Sequence, residues 1–220
     1  MNNTNSHYII GITGLIGSGK DTCADYLVNY HGFRRDSFAA SLKDAVAHVF
    51  GWDRQLLEGR SNESREWREQ PDEWWSNRLK LPITPRWVLQ QWGTNLCRQH
   101  FHDDIWIASL ENKLRKIKDN VVITDVRFPN EIEAIKAVNG KVIRIKRGPD
   151  PEWVEYAASI NLNEIDDTEV ALKKLKSYNI HPSEWAWAGF KFDYLIENES
   201  TIDSLFNKLK YVIDHIEDMP

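Results

Sequence analysis

An α/β fold, a five-stranded parallel sheet flanked by helices, is what this sequence predicts, and three observations predict it. Short apolar runs rich in β-branched residues recur at "HYIIGIT", "NVVITD", "GKVIRIKR" and "FDYLIEN". Helical patterns alternate with them, and parallel strands covered on both faces read as such near-continuous apolar runs. A glycine-rich turn, "GLIGSGKDT" at residues 14–22, joins the first run to the first helix.

Taken in order, the first strand falls near 7–13 and the helix after the turn runs through "DTCADYLVNY". "RRDSFAA" supplies a weaker strand near 33–38, and "SLKDAVAHVF" reads as a helix. Residues 51–83, rich in tryptophan and charge, read as irregular. A helix then begins at "TPRWVLQQWGTNLCRQHF", with Thr84 as N-cap and Pro85 at the first position. Another follows at "DDIWIASLENKLRKIK". The remaining strands fall near 121–125, 141–146 and 192–196, with "NEIEAIKAV" as the helix between the first two of them. Residues 148–190 form a polar stretch with short helices, and "TIDSLFNKLKYVIDHI" closes the chain as an amphipathic helix. Neither an internal repeat nor a low-complexity segment is evident.

Composition narrows the function classes. With 220 residues, 41% apolar and 28% charged, the chain has the balance of a globular protein and the length of one ordinary domain or of a core domain carrying a small mobile subdomain. A net charge of −5 supplies no global basic field for duplex DNA or an anionic membrane. Cys23 and Cys97 lie far apart and fit a reducing cytosol better than a disulfide scaffold. The start "MNNTNSH" lacks the basic and apolar regions of a secretion signal, and no run of about eighteen apolar residues occurs. The expected setting is therefore cytoplasmic.

The glycine turn is the strongest chemical signal. Gly14, Gly19 and Lys20 meet the pattern G-x-x-x-x-G-K, with Gly17 and Ser18 between them. Such a loop between a strand and a helix aims backbone N–H groups and a positive helix end at phosphate oxygens, and its lysine reaches the β- and γ-phosphates of a nucleotide. The departure is Asp21, which stands where the pattern wants the hydroxyl residue that holds magnesium. A carboxylate can hold the metal directly or through water, and Thr22 offers a hydroxyl one step on; the letters leave the choice between them open.

The second signal is "VVITDVRFPNE", residues 121–131. Asp125 falls at the carboxyl end of a strand, where ligands of open α/β sheets collect. It reads equally as a magnesium partner, a base for an incoming hydroxyl or the cap of the next turn. Arg127 and Glu131 are four apart, which suits a surface ion pair or a shared task toward a ligand. A third signal lies on the helix from Pro85, where Arg86, Gln90, Gly93 and Thr94 share one face and Val88, Leu89, Trp92 and Leu96 form an apolar stripe. A glycine inside a helix points to something approaching its backbone closely, either a sugar or base or a neighbouring helix.

Together "GLIGSGKDT", "SLKDAV", "RWVLQQWGT", "DIWIASL", "ITDVRFPNE" and the late "HPSEW" and "FDYLIEN" resemble the bacteriophage-type deoxynucleoside monophosphate kinases, in the family's order along nearly the whole chain. The resemblance implies a P-loop nucleotide kinase fold and transfer of the γ-phosphate of ATP to a deoxynucleoside monophosphate (dNMP) with Mg2+. It places Gly14, Gly17, Ser18, Gly19, Lys20, Asp21 and Thr22 in the ATP site, with Asp21 or Thr22 toward the metal. It places Lys43, Arg86, Gly93, Thr94, Trp106, Asp125, Arg127 and Glu131 around the acceptor nucleotide, with Lys20, Asp125 and Arg127 carrying the chemistry. The whole chain, 1–220, then reads as one kinase domain with a core at about 7–50, 84–147 and 190–217, an acceptor-side insertion at about 51–83 and a lid-like segment at about 148–190. ATP and the dNMP are its partners, with no nucleic acid or membrane, a homodimer is compatible, and a phage enzyme would work in the host cytoplasm.

Arginine placement bears on this mechanism. Phosphoryl transfer gathers positive charge around the travelling group, and all thirteen arginines lie between residues 34 and 147. The lid-like stretch has none, so the supply falls to Arg60, Arg65, Arg68, Arg78, Arg86, Arg98 or Arg127. Trp106, between two isoleucines, fits a core position as readily as a stacking platform, and only the resemblance draws it to the acceptor. His181 reads as a nucleotide contact or as the turn before a helix capped by Ser183. The competing functions are a P-loop kinase for another small phosphorylated acceptor, a nucleotide-dependent switch or nucleic-acid ATPase, and a degenerate loop that binds without catalysis; the acidic balance and compact length oppose the nucleic-acid ATPase, and intact Lys20 and Asp125 oppose the degenerate loop.

Overall fold

The computed structural model describes residues 7–164, 168–178, 180 and 182–216. They form two compact units, Met1–Ser37 with Ile117–Pro220, and Phe38–Lys116.

The first unit is built on a five-stranded sheet of β1 (Ile9–Thr13), β2 (Arg34–Asp36), β3 (Val121–Ile123), β4 (Lys141–Lys146) and β5 (Tyr194–Glu197). Every pairing is parallel and the order is β2-β3-β1-β4-β5, so the expected sheet is present with β1 at its centre. All five residues of β1 and all three of β3 are buried, which is why both runs lack polar alternation. β4 has the limits read in the sequence, and the other four strands differ from theirs by one or two residues at one or both ends.

Helices α1 (Lys20–His31), α7 (Pro129–Ala137) and α11 (Ile202–Asp214) belong to this unit, with α8 (Trp153–Asn161), α9 (Thr168–Ser177) and α10 (Pro182–Trp185) in the polar stretch. In α11 the buried residues Leu205, Leu209 and Val212 recur at helical spacing. They pack with Ile10, Ile12, Leu27, Ile143 and Ile196 into one core. Thr201 caps α11 by accepting the Ser204 N–H at 3.3 Å. No helix among the described residues is long and apolar enough to cross a membrane.

The second unit is helical: α2 (Ala40–Phe50), a 3-10 turn Leu56–Glu58, α3 (Asn62–Glu69), α4 (Glu73–Leu79), α5 (Pro85–Gln90) continued by a π-helical segment Gln91–Phe101, and α6 (Ile105–Leu114). Residues 51–83 are thus ordered into helices rather than irregular. Ser61 accepts the Ser64 N–H at 3.0 Å to start α3, and Asp72 accepts the Trp75 N–H at 2.9 Å to start α4. Trp52 joins the core of this unit, and other tryptophans pack against that core half-buried. Leu42, Val46, Trp52, Leu57, Ile83 and Val88 are buried, with Trp67, Trp75, Trp92 and Trp106 against them. Phe50 stacks on Trp52 at 4.5 Å, and the indole N–H of Trp52 donates to Asp72 Oδ2 at 2.8 Å.

Thr84 caps α5 through the Trp87 N–H at 3.1 Å, with Pro85 first in the helix, as the sequence indicates. The α-helical period then stops. From Gln91 the winding widens to the π form, so the stripe drawn at α-helical spacing slips and Leu96 ends up 54% exposed.

Candidate active site

The phosphate loop is fixed from behind by the sheet. Gly14, at φ 142°, sits with its α-carbon against the carbonyl of Ile145 in β4, and a β-carbon there would collide with that oxygen. Gly19, at φ 104°, precedes α1, and a β-carbon on it would lie 2.7 Å from Asn198 Nδ2. Asn198 follows β5 and braces the loop: its Nδ2 donates to the Ser18 carbonyl at 2.9 Å, while its own backbone N–H donates to the Lys146 carbonyl at 2.7 Å. Ser18 is only 2% exposed, and its hydroxyl, like that of Thr13, is buried without a hydrogen-bond partner among the described residues.

Lys20 opens α1 and folds back over the loop, donating to the carbonyls of Gly14 at 2.7 Å and Leu15 at 2.8 Å. Burial lowers its pKa first and the charge of Arg127 lowers it further, against the opposing pull of Asp21 and Glu184. Arg127 is therefore close enough to the loop lysine to act on it. Thr22 is half-buried in the first turn of α1. Asp21 beside it is 70% exposed and pairs with Arg35, whose other nitrogen holds Asp25 at 2.8 Å.

Asp125, Arg127 and Glu131 follow β3 in this same unit. Glu131 is 3% exposed in the first turn of α7, and its Oε2 accepts the backbone N–H groups of Arg127 at 2.8 Å and Phe128 at 3.1 Å. It thereby fixes the turn that carries the half-buried Asp125 and Arg127. The Arg127 guanidinium donates to Glu184 Oε1 at 2.6 Å. His181 and the side chain of Ser183 lie outside the described residues.

The other sequence-selected residues belong to the second unit. Lys43 pairs with Glu58 at 2.8 Å, and Arg54 reaches the second oxygen of Glu58 at 2.5 Å. Burial pushes the Glu58 carboxyl up, but the hydrogen bond and charge of Lys43, then those of Arg54, outweigh it and hold the pKa at about 2. Arg86 pairs with Glu69, and Thr94 is exposed. Gly93 is buried under α2, where a β-carbon would meet Leu42 Cδ2 at 2.7 Å, and its carbonyl accepts the Trp106 indole N–H at 2.9 Å. The structure thus joins Gly93 to Trp106 directly. Arg68 lays its guanidinium on the α-carbon of Gly59, whose carbonyl accepts from Arg65 Nε at 3.1 Å.

Three residues escaped the sequence reading. Asn198 had a readable signal, since it follows a strand whose end lies with the loop. Arg35 and Glu184 had none, because their partners Asp21 and Arg127 are set by the fold.

Comparison with known proteins places this geometry. No family model matches the chain. A protein of Acanthamoeba polyphaga mimivirus assigned as a deoxynucleotide monophosphate kinase is 29% identical over 225 residues, covering 96% of this chain and 98% of the relative. The deoxynucleoside-5'-monophosphate kinase of Escherichia phage T5 is 29% identical over 181 residues, covering 60% of this chain and 72% of that enzyme. Among solved structures, shikimate kinase from Aquifex aeolicus covers 95% of this chain and 98% of its own at 13% identity and a TM-score of 0.42, a likeness too loose to carry any argument. The chain is homologous to these viral deoxynucleoside monophosphate kinases, from end to end in the mimivirus case.

Proposed function

We propose that the chain is a deoxynucleoside monophosphate kinase that transfers the γ-phosphate of ATP to a dNMP, giving ADP and a deoxynucleoside diphosphate. The observation that carries this reading is the placement of Arg127 within electrostatic reach of the loop lysine, in a chain homologous to such kinases. A glycine loop with its lysine can grip the donor, and an arginine beside it can grip a second phosphate.

In this reading the donor's β- and γ-phosphates take the backbone N–H groups of Gly17 and Gly19 and the start of α1, while the Ser18 N–H stays on the Leu15 carbonyl at 3.1 Å. The Lys20 ammonium turns from the loop carbonyls to the phosphates. Asp21 and Thr22 are the residues that would hold Mg2+. Magnesium is ordinarily bound by one or two protein oxygens plus substrate phosphates and water, and the exposed Asp21 carboxylate and the Thr22 hydroxyl are oxygens of that kind. When bound, it supplies charge neutralisation on the donor phosphates. Asp21 reaches it only by leaving Arg35.

The Arg127 guanidinium holds the acceptor's phosphate in a two-pronged grip. An oxygen of that phosphate bonds to the γ-phosphorus as the bond to the β–γ bridging oxygen breaks, and the electron pair leaves with ADP. With a second pKa near 6, a phosphate monoester is already ionised at neutral pH, so Asp125 need not act as a base and instead orients the acceptor. Lys43, Arg86, Gly93, Thr94 and Trp106, all in the second unit, are proposed as further acceptor-binding residues, and Glu131 to hold the Arg127 turn. We read the chain as one kinase domain in a cytoplasmic setting, with 148–190 as its lid; every proposed site residue comes from a single chain.

A coupled assay of ADP release tests this across all common nucleoside monophosphates, ribo and deoxy, beside other phosphorylated metabolites. Turnover is expected with one or more dNMPs. Turnover confined to acceptors that are not nucleotides would sink the proposal.

A further inference from the structure

The lid-like stretch contains no arginine, yet it contributes a charge to the phosphate site, and the charge is negative. Glu184, on α10, sits with its carboxylate 2.6 Å from Arg127 Nη1, and its side chain is only 23% exposed. Its field also reaches Lys20, whose pKa it raises against burial and Arg127. Lys20 and Arg127 are the two cations proposed above to take the donor and acceptor phosphates. A carboxylate offers a guanidinium the same planar pair of oxygens that a phosphate does.

We infer that Glu184 is an internal stand-in for phosphate: it occupies the Arg127 fork, holds that side chain turned toward the site, and is displaced when a nucleotide phosphate takes the same prongs. The inference rests on the reading of Arg127 as a phosphate grip. Glu184 then acts as a positioning residue with two opposed effects. It keeps Arg127 ordered before substrate arrives, and it competes with the incoming anion. A residue present only to stabilise α10 would do neither. A carboxylate of the metal shell would do the reverse, because its loss would weaken nucleotide binding.

The sign of the effect decides the test. Glu184→Gln keeps the shape and removes the charge, so the protein should bind phosphate ligands more tightly, by about three- to tenfold for the loss of a partly exposed competing pair. Calorimetric titration with ATP, with and without Mg2+, and with each of the four dNMPs reads this directly. Glu184→Ala should shift affinity the same way, and Glu184→Asp, which keeps the charge, should stay near wild type. In an Arg127→Met background the tightening of dNMP binding should disappear. Unchanged or weaker binding of both ATP and every dNMP by a folded Glu184→Gln protein would overturn the inference, as would tightening of dNMP binding that survives in Arg127→Met. Because binding is measured rather than turnover, a protein that binds ATP yet phosphorylates no dNMP sinks the proposed function and leaves this result readable.

Discussion

In residues 14–20 each special residue answers to one identifiable contact, Gly14 to the Ile145 carbonyl, Gly19 to Asn198 and Lys20 to the loop's own carbonyls. In residues 51–83 the shape comes instead from many tryptophan faces meeting at once, Trp52 against Phe50 and Trp67, and Trp75 against Phe50 again. The first kind of stretch is brittle and local: one substitution removes one function. The second kind is tolerant and collective, and single changes there should appear as stability before they appear as chemistry.

The largest expected effect breaks the loop alone. Lys20→Met should leave the unfolding transition in place while lowering kcat by about a thousandfold or more, since the charge on the transferring phosphate is lost. Circular dichroism and the coupled ADP assay check both halves. Retention of more than about a tenth of kcat would remove Lys20 from that role.

Arg127→Lys comes next. It keeps the charge and loses the fork, so kcat/KM for the dNMP should fall by about 2–4 kcal/mol while KM for ATP barely moves. If acceptor kcat/KM stays within about threefold of wild type, the acceptor phosphate is held elsewhere, with Arg86 the next candidate.

The third prediction sharpens the contrast at a residue with two readings. Gly93→Ala places a methyl against Leu42 and should cost about 1–3 kcal/mol of stability, read by urea unfolding. A rise in dNMP KM with no loss of stability would instead mean that substrate approaches this backbone.

The smallest effect is a pH dependence. Glu58 is held at about 2, below the ordinary 4.5, so its contribution is complete above pH 4.5 and is lost as pH falls toward 2. Unfolding free energy should drop by about 1–2 kcal/mol on acidification through that window from this group. Glu58→Gln should flatten that part of the slope in urea titrations that run from about pH 5 down to about pH 2.5. An unchanged slope would show that the Lys43–Glu58–Arg54 cluster carries no such linkage.

How much was legible follows the same division. The sheet could be read because β1 and β3 are buried along their whole length and must be apolar throughout, while β4 buries Val142, Ile143 and Ile145 between half-buried charged residues. The loop could be read because its contacts demand glycine and lysine at fixed spacing. The helices α3 and α4 could not, because what they pack inward is a half-buried tryptophan each, Trp67 and Trp75, set among charges, and no helical stripe of aliphatic residues marks them. The π-helical segment after Gln90 escaped for a related reason: its widening shifts the exposed face, and Leu96 was misplaced with it. Pairings such as Glu184 with Arg127 and Arg35 with Asp21 are products of the tertiary fold and leave no periodic trace in the letters.

The brace on the phosphate loop has a consequence for biosynthesis. Ser18 leaves the ribosome early, but Asn198, which holds its carbonyl, lies 180 positions downstream. The β4 carbonyl that backs Gly14 also arrives late. A nascent chain therefore carries the letters of an ATP site long before it carries the site, and gains a fixed loop only when its last strand joins the sheet. Products truncated before Asn198 would in this way bear the motif without its brace.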